Sequence, residues 1–486
     1  MERRIPEAAY AAIKAVDELN AAGHTTASEY IKGVDNAADK IKWSIVNSES
    51  SYDESKKTFY VSNSGDDAND GLTPETAWKS LDKINDKDSV CPDCNILFER
   101  GGIWRGFIRI PHNGITYSAY GVGQKPRLYG SKMNYAKPEY WKKSEYENIW
   151  YTDLCTKNVG LVAINHSEVI GKYDEIMCVR HNIGRDGFEK ISDLKNDYDF
   201  HGDINEEKCY LYCSKGNPGE VYDSIELGEG YTLIAPTPEC KENITVDNLH
   251  LRYGGCHGVA GLGGRKNSTV QNCVFAYIGG SILVGYPGGP VTGFGNAVEV
   301  YGSCDGYFVN ANWIYQIYDT AITHQCSSRS LCDCHMRDVE YIGNLCEYCE
   351  WSIEYYNRPP ESGEYNRTIT NVDVHHNVLR YGGMGWGSVD PGRAERAHLF
   401  NSFVCTPNTV NFSSHNNVYD RSAGGIVRYY RGGDEKIISF RNTYIQASTG
   451  RLGRLFDEEI PFDGDTREKI AKYIKEENAK FFYSDK

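Results

Sequence analysis

Between Asn243 and Tyr444 one short phrase recurs seven times: β-branched or aromatic residues, an Asn, another apolar pair, then a glycine-rich corner. The copies end at Asn248, Asn272, Asn312, Asn344, Asn377, Asn417 and Asn442, spaced 24, 40, 32, 33, 40 and 25 residues apart. A spacing that stretches freely above a floor of 24 residues is what a coil of short strands produces, with insertions confined to its corners. Residues remote in sequence then stack one turn above another, and carboxylates from different copies share a face. The phrase predicts an all-β chain, a parallel solenoid.

Composition fits that reading. The 36 Tyr and 49 Gly of this 486-residue chain suit strands, tight corners and sugar-stacking surfaces. A net charge of −15 repels polyanions and argues against nucleic acid as a partner. No apolar run reaches the roughly 18 residues of a membrane span. The opening Met1-Glu-Arg-Arg-Ile-Pro6 lacks the apolar centre of a secretory signal, and 16 Cys suggest reduced thiols. The expected location is cytoplasmic, or secreted if a signal has been lost.

The organisation reads as a helical N-terminal cap over 1–55, then first turns of the coil with a capping helix over 56–130. An inserted β subdomain follows over 131–240, the repeats carrying the site over 241–455, and a C-terminal capping helix over 456–486. Within the first turns, Thr73-Pro74 is a helix start, with Thr73 as N-cap and Trp78, Leu81 and Ile84 as the buried stripe.

Two stretches resemble a known group. Tyr60-Val-Ser-Asn-Ser-Gly-Asp-Asp-Ala-Asn-Asp-Gly-Leu-Thr-Pro-Glu-Thr-Ala-Trp78 with Leu97-Phe-Glu-Arg-Gly-Gly-Ile-Trp-Arg105 resembles the opening of carbohydrate-active right-handed parallel β-helix proteins. Gly295-Asn-Ala-Val-Glu-Val300 with Ile317-Tyr-Asp-Thr-Ala-Ile-Thr-His-Gln325 is similar to the core repeats of β-helical glycoside hydrolases in the pectate-lyase-like superfamily. The resemblance spans roughly 58–450. It implies a right-handed parallel β-helix and a carbohydrate substrate, while lyases, hydrolases, epimerases and tailspikes share that architecture.

The residues themselves suggest a hydrolase. Aligning Ala297-Val-Glu-Val300, Ala321-Ile-Thr-His324 and Ser352-Ile-Glu-Tyr355 on their apolar positions places Glu299, Thr323 and Glu354 in one outward column. Asp319 aligns with Glu350 at the preceding corner. Glycosidic cleavage needs two carboxyl groups, about 5 Å apart for retention and about 6.5–9.5 Å for inversion. Asp319, Glu299 and Glu354 are therefore the candidate catalytic set, with Asp319 as nucleophile or base and Glu299 or Glu354 as acid. His324, Gln325, Glu350, Tyr356, Trp386, Arg393 and Arg428 are candidate sugar contacts, although His324 shares the inward parity of Ile322. Glycine pairs at Gly279-Gly280, Gly288-Gly289 and Gly382-Gly383 fit a cleft floor and fit ordinary turns as well.

This chemistry requires no cofactor. Asp66-Asp-Ala-Asn-Asp-Gly71 is oxygen-rich like a Ca²⁺ loop but lacks EF-hand spacing, and Asx turns account for it. Cys326, Cys332, Cys334, His335, Cys346 and Cys349 have zinc-like spacing, set against the use of Cys as a small inward filler. The alternatives are a polysaccharide lyase, using Arg252, Arg380 or Arg393 on a uronate, and a non-catalytic carbohydrate-binding solenoid. Oligomeric state is left open.

Overall fold

The computed structural model describes residues 5–165, 175–285, 292–361, 364–389, 392–447 and 450–484; Gly288-Gly289 lies outside them. The chain is mostly β and is organised by three long sheets of parallel strands. Sheet A has eleven strands, from Lys57–Val61 to Lys475–Glu477, and sheet B has ten, from Ile103–Arg105 to Lys480–Ser484. Sheet C has seven, from Val298–Tyr301 to Glu458–Pro461, the last antiparallel. Over residues 304–455 the chain visits A, B and C in rotation, and every strand hydrogen-bonds its counterpart from the previous circuit. Alternation along each strand sends one set of side chains into the shared interior, which is apolar and rich in aromatics and thiols (Tyr307, Tyr341, Tyr355, Phe400, Cys304 and Cys346 among them).

The A-to-B corner is made by a single left-handed residue followed by a buried Asn. Ala311, Gly343, His376, Asn416 and Arg441 have φ of 52°, 65°, 55°, 54° and 56°. The next residue in each circuit is Asn312, Asn344, Asn377, Asn417 or Asn442, and these amides hydrogen-bond one to the next at 2.9–3.1 Å. From Asn344 on, each Oδ1 also accepts the backbone N–H of the preceding Asn, while Asn312 Oδ1 accepts that of Cys273; each Nδ2 donates to a carbonyl of the circuit before, as Asn344 does to Val309 at 2.8 Å. The two earliest Asn residues do not belong to this ladder. Strand register sets Asn248 and Asn272 opposite Ala311, at the left-handed position itself, with Cys273 where the ladder would continue. Asn is favoured in both places, because it tolerates positive φ and because its amide can pair on both sides, so the sequence phrase merges two roles.

Two helices lie across the outside of sheet B: α1 (Glu7–Ala21) and α2 (Ala27–Val46). Thr26 accepts from Glu29 N–H at 3.2 Å in a capping box that starts α2. Ala12, Val16, Val34 and Ile41 pack on Val274, Trp313, Leu345 and Val378. Strands between Lys142 and Gly228 form a five-stranded and a three-stranded sheet of their own, and Ile234–Pro236 pairs back with Ile108–Ile110. The helix Thr466–Tyr473 precedes the last strands of sheets A and B, so the chain goes on building both sheets after it.

The helix expected at Thr73 is instead a 3₁₀ turn, Pro74–Thr76, and a separate short helix, Leu81–Asn85, capped by Ser80. Trp78 interrupts them because its backbone pairs with the first strand of sheet A, donating to Tyr60 O and accepting from Ser62 N–H, both at 2.8 Å. The carboxylates of the Asp66–Gly71 loop accept backbone N–H groups, Asp66 from Ala68 at 2.9 Å and Asp67 from Lys79 at 2.8 Å.

Candidate active site

Sheet C pairs Glu299 with Thr323, Thr323 with Glu354, Glu354 with Asn401, and Asn401 with Arg428. Their neighbours Val298, Ile322, Ile353, Phe400 and Val427 are buried in the interior, so this row faces outward. Glu299 and Glu354 are two strands apart, about 10 Å between Cα atoms. Asp319 immediately precedes Thr320, the first residue of its sheet C strand, and Glu350 holds the same place one circuit later. The Trp351 N–H donates to Asp319 O at 3.2 Å and ties the two corners together.

Arg393 reaches this corner from the loop after Val378–Gly382. Its Nη2 donates to Tyr318 O at 2.8 Å and to Asp319 Oδ1 at 3.3 Å, and its Nε stands 3.8 Å from Glu350 Oε2. The guanidinium lies 4.3 Å from the centre of the Tyr318 ring, a cation–π contact. Ser388 Oγ donates to Glu350 Oε2 at 3.0 Å. On the other side Asn296 donates to Glu299 Oε2 at 2.5 Å and accepts from Thr320 N–H at 3.0 Å, linking the two strands. His257 Nδ1 is 3.2 Å from Glu299 Oε2 and 3.0 Å from the Asn296 N–H. Glu354 accepts from Thr320 Oγ1 at 3.4 Å and Asn401 Nδ2 at 3.3 Å.

Four carboxyl groups thus share a corner with Arg393, and burial raises the proton affinities of Glu350, Glu354 and Asp319. Glu350, with 1% of its side chain exposed, is pushed up to about 7 by desolvation and by Asp319, with Arg393 opposing. Glu354 is raised well above the usual carboxylate range by desolvation, then by Asp319 and Glu299. Asp319 is also raised, first by desolvation, and is held back by Arg393 and His257. Like charges in a site of low polarity cannot all ionise, so protons stay on the more buried members. Asp319 and Glu299 are the ones open to solvent, with 18% and 12% of their side chains exposed. The raised Glu354 is a carboxyl that keeps its proton, one half of the pairing that acid–base cleavage needs.

The remaining candidates are distributed differently. Gln325 lies in the neighbouring outward row between Tyr301 and Tyr356, and Tyr356 packs edge-on against Phe403. Arg428 continues the acidic row, its guanidinium over Phe403 and Tyr430 at 5.0 and 5.1 Å. Trp386 is 8% exposed; its indole donates to Gln316 O at 2.7 Å and its ring tilts against Tyr318 at 5.3 Å, which makes it a fixed wall of the corner. His324 is not on this face. It is fully buried, bonds Tyr341 Oη at 2.6 Å, stacks on Tyr355 and is held neutral by burial, its pKa pushed down to about 3. Inward parity wins for His324.

Cys326, Cys334, Cys346 and Cys349 line the interior, whereas Cys332 and His335 are exposed. Among the described residues they do not gather into a converging group of three or more donors. Arg252 and Arg380 lie on sheet B, paired with Glu175 and with Asp35 of α2, away from the acidic corner. Sequence reasoning missed His257, Asn296 and Asn401. Asn401 follows from extending the Glu354 register by one strand, but His257 and Asn296 come from glycine-rich corners that only the coil brings together.

No protein-family profile matches the chain, and no curated protein matches it. Among solved structures, a complex of XylC with xylose is similar at 12% identity and TM-score 0.46, over 82% of this chain and 70% of that one. The GH136 lacto-N-biosidase from Eubacterium ramulus is similar at 14% identity and TM-score 0.42, over 94% and 71%. A third structure, described as a glycoside hydrolase, gives 8% identity and TM-score 0.36 over 88% and 96%.

Proposed function

We propose that this chain is a glycoside hydrolase built on a right-handed parallel β-helix, cleaving glycosidic bonds in an oligo- or polysaccharide. One observation carries the reading: Asp319, Glu350 and Glu354 gather with Glu299 around one corner of sheet C, where burial raises the proton affinities of the first three. In this proposal Asp319 serves as nucleophile or base, oriented by Arg393. Glu299 or Glu354 supplies the proton to the leaving oxygen, and the raised affinity of Glu354 suits it to hold that proton at neutral pH. Tyr318, Trp386 and Tyr356 offer apolar walls for a pyranose, and carboxyl chemistry alone accounts for the step.

The test is turnover of aryl-glycosides and natural oligosaccharides, with product masses, by the wild type and by Asp319→Asn and Glu299→Gln. Release of water-added sugar that falls by about 10²–10⁴ in Asp319→Asn is expected. Wild-type turnover in both variants would remove the site, and unsaturated products absorbing in the ultraviolet would replace hydrolysis with β-elimination.

A further inference from the structure

On the outer face of sheet A, far around the coil from the acidic corner, Asp373, His375 and His415 bring one donor atom each within 4.8 Å of one another. Asp373 and His375 are two residues apart on one strand, and His415 pairs directly with His375 from the next. Hydrogen bonds hold the rings in place. His415 Nδ1 is 3.2 Å from Asn416 Oδ1. Its Nε2 stands 3.2 Å from Asp373 Oδ1 and donates to that carboxylate, a proton that a bound metal would displace. His376 Nε2 is 3.2 Å from the Asp17 carboxylate of α1, so Nε2–H donates there and His376 Nδ1 must accept. Its partner at 2.8 Å is His375 Nδ1, which therefore carries the proton and leaves His375 Nε2 unprotonated, 4.0 Å from Asp373 Oδ2.

Two imidazole nitrogens and a carboxylate oxygen thus gather within 4.8 Å of one another on one outer face. We propose that this cluster binds a divalent transition metal of the zinc class, with His375 Nε2, His415 Nε2 and Asp373 as ligands. Donors around tetrahedral zinc lie about 3.3 Å apart, given Zn–N near 2.0–2.1 Å and Zn–O near 2.0–2.2 Å. The two nitrogens stand 3.2 and 4.0 Å from the Asp373 oxygens, and taking up the ion turns the two rings, stacked at 4.8 Å, toward it. The two-nitrogen, one-oxygen set selects against Ca²⁺ and Mg²⁺, which take oxygen. Ser413 Oγ orients Asp373 by a 2.8 Å bond, and Asn416 and His376 orient the two rings, the outer support that metal-bound imidazoles use. Asp373 has 46% of its side chain exposed, which leaves room for water as the fourth ligand. Through His376 and Asp17 the site also fastens α1 to the A-to-B corner.

The full chain, stripped with chelator, is titrated with Zn²⁺ alone by calorimetry, with thermal unfolding followed in parallel and with Co²⁺ as a visible-spectrum probe. One Zn²⁺ per chain and a raised unfolding midpoint are expected. His415→Phe, which keeps the 4.5 Å stack on Phe440, and Asp373→Asn are expected to abolish both effects with unchanged circular dichroism. His376→Ala is expected to weaken binding about 10–100-fold. The proposal is overturned by the absence of saturable uptake, by uptake that survives Asp373→Asn and His415→Phe, or by thiolate charge-transfer bands with Co²⁺, which would move the ion to the cysteines.

Discussion

The two corners of sheet B carry buried polar side chains in opposite ways. At the A-to-B corner the amides of Asn312, Asn344, Asn377, Asn417 and Asn442 satisfy one another and the backbone in an unbroken line. At the B-to-C corner Asp319 and Glu350, with Glu299 and Glu354 beside them, put four carboxyl groups around Arg393, and Glu350 Oε1, Thr323 Oγ1 and Asn401 Oδ1 have no hydrogen-bond partner among the described residues. The circuit repeat is the same at both corners. A neutral amide both donates and accepts, so stacking it closes a network; an ionised carboxylate only accepts, so stacking it accumulates charge. The first corner contributes stability, and the second gives up stability for unusual proton affinity.

Substitutions can break that contrast. The largest expected effect is on turnover: Asp319→Asn lowers kcat by about 10²–10⁴-fold with little change in unfolding temperature, read by steady-state kinetics and calorimetry. Asn344→Leu is expected to do the reverse. It orphans the Asn312 N–H and removes the Asn344 bonds to the Asn312 amide, the Val309 carbonyl and Asn377, for a loss of about 2–4 kcal/mol in denaturant unfolding, while surviving folded protein keeps its kcat.

Glu350→Gln sharpens the electrostatic half. Because the folded value is raised to about 7, the folded chain keeps a proton that the unfolded chain releases near 4.5. The contribution of Glu350 is therefore fully present below about 4.5 and is lost as pH rises through about 7. Over that window it amounts to about 3 kcal/mol, and denaturation of Glu350→Gln at a series of pH values should show that much less decline. The smallest effect is expected at His324→Phe. A core ring between Tyr341 and Tyr355 replaced by another ring leaves turnover and its pH profile unchanged, with a modest stability change from the lost Tyr341 bond.

Much of this contrast was legible in the sequence. Alternation placed Glu299, Thr323 and Glu354 in one outward row, and the corner register set Asp319 over Glu350; both follow from period-2 geometry and hold across the strand pairing. The Asn phrase was legible as a repeat but not as two roles, because Asn272 at a left-handed position and Asn312 in the ladder are the same letter one residue out of step. Thr73-Pro74 carried a genuine cap, yet the pairing of Trp78 with the Tyr60 strand overrode local helix preference. His257, Asn296 and the Asp373–His375–His415 group depend on which loops and rows become neighbours, which no single strand encodes.

The central claim is that the acidic corner of sheet C cleaves glycosidic bonds. It is tested most directly by product mass from an oligosaccharide panel incubated in ¹⁸O-water with the wild type and with Asp319→Asn. The account predicts ¹⁸O-labelled hydrolysis products from the wild type and about 10²–10⁴-fold less from folded Asp319→Asn. Equal labelled product from both proteins would contradict it.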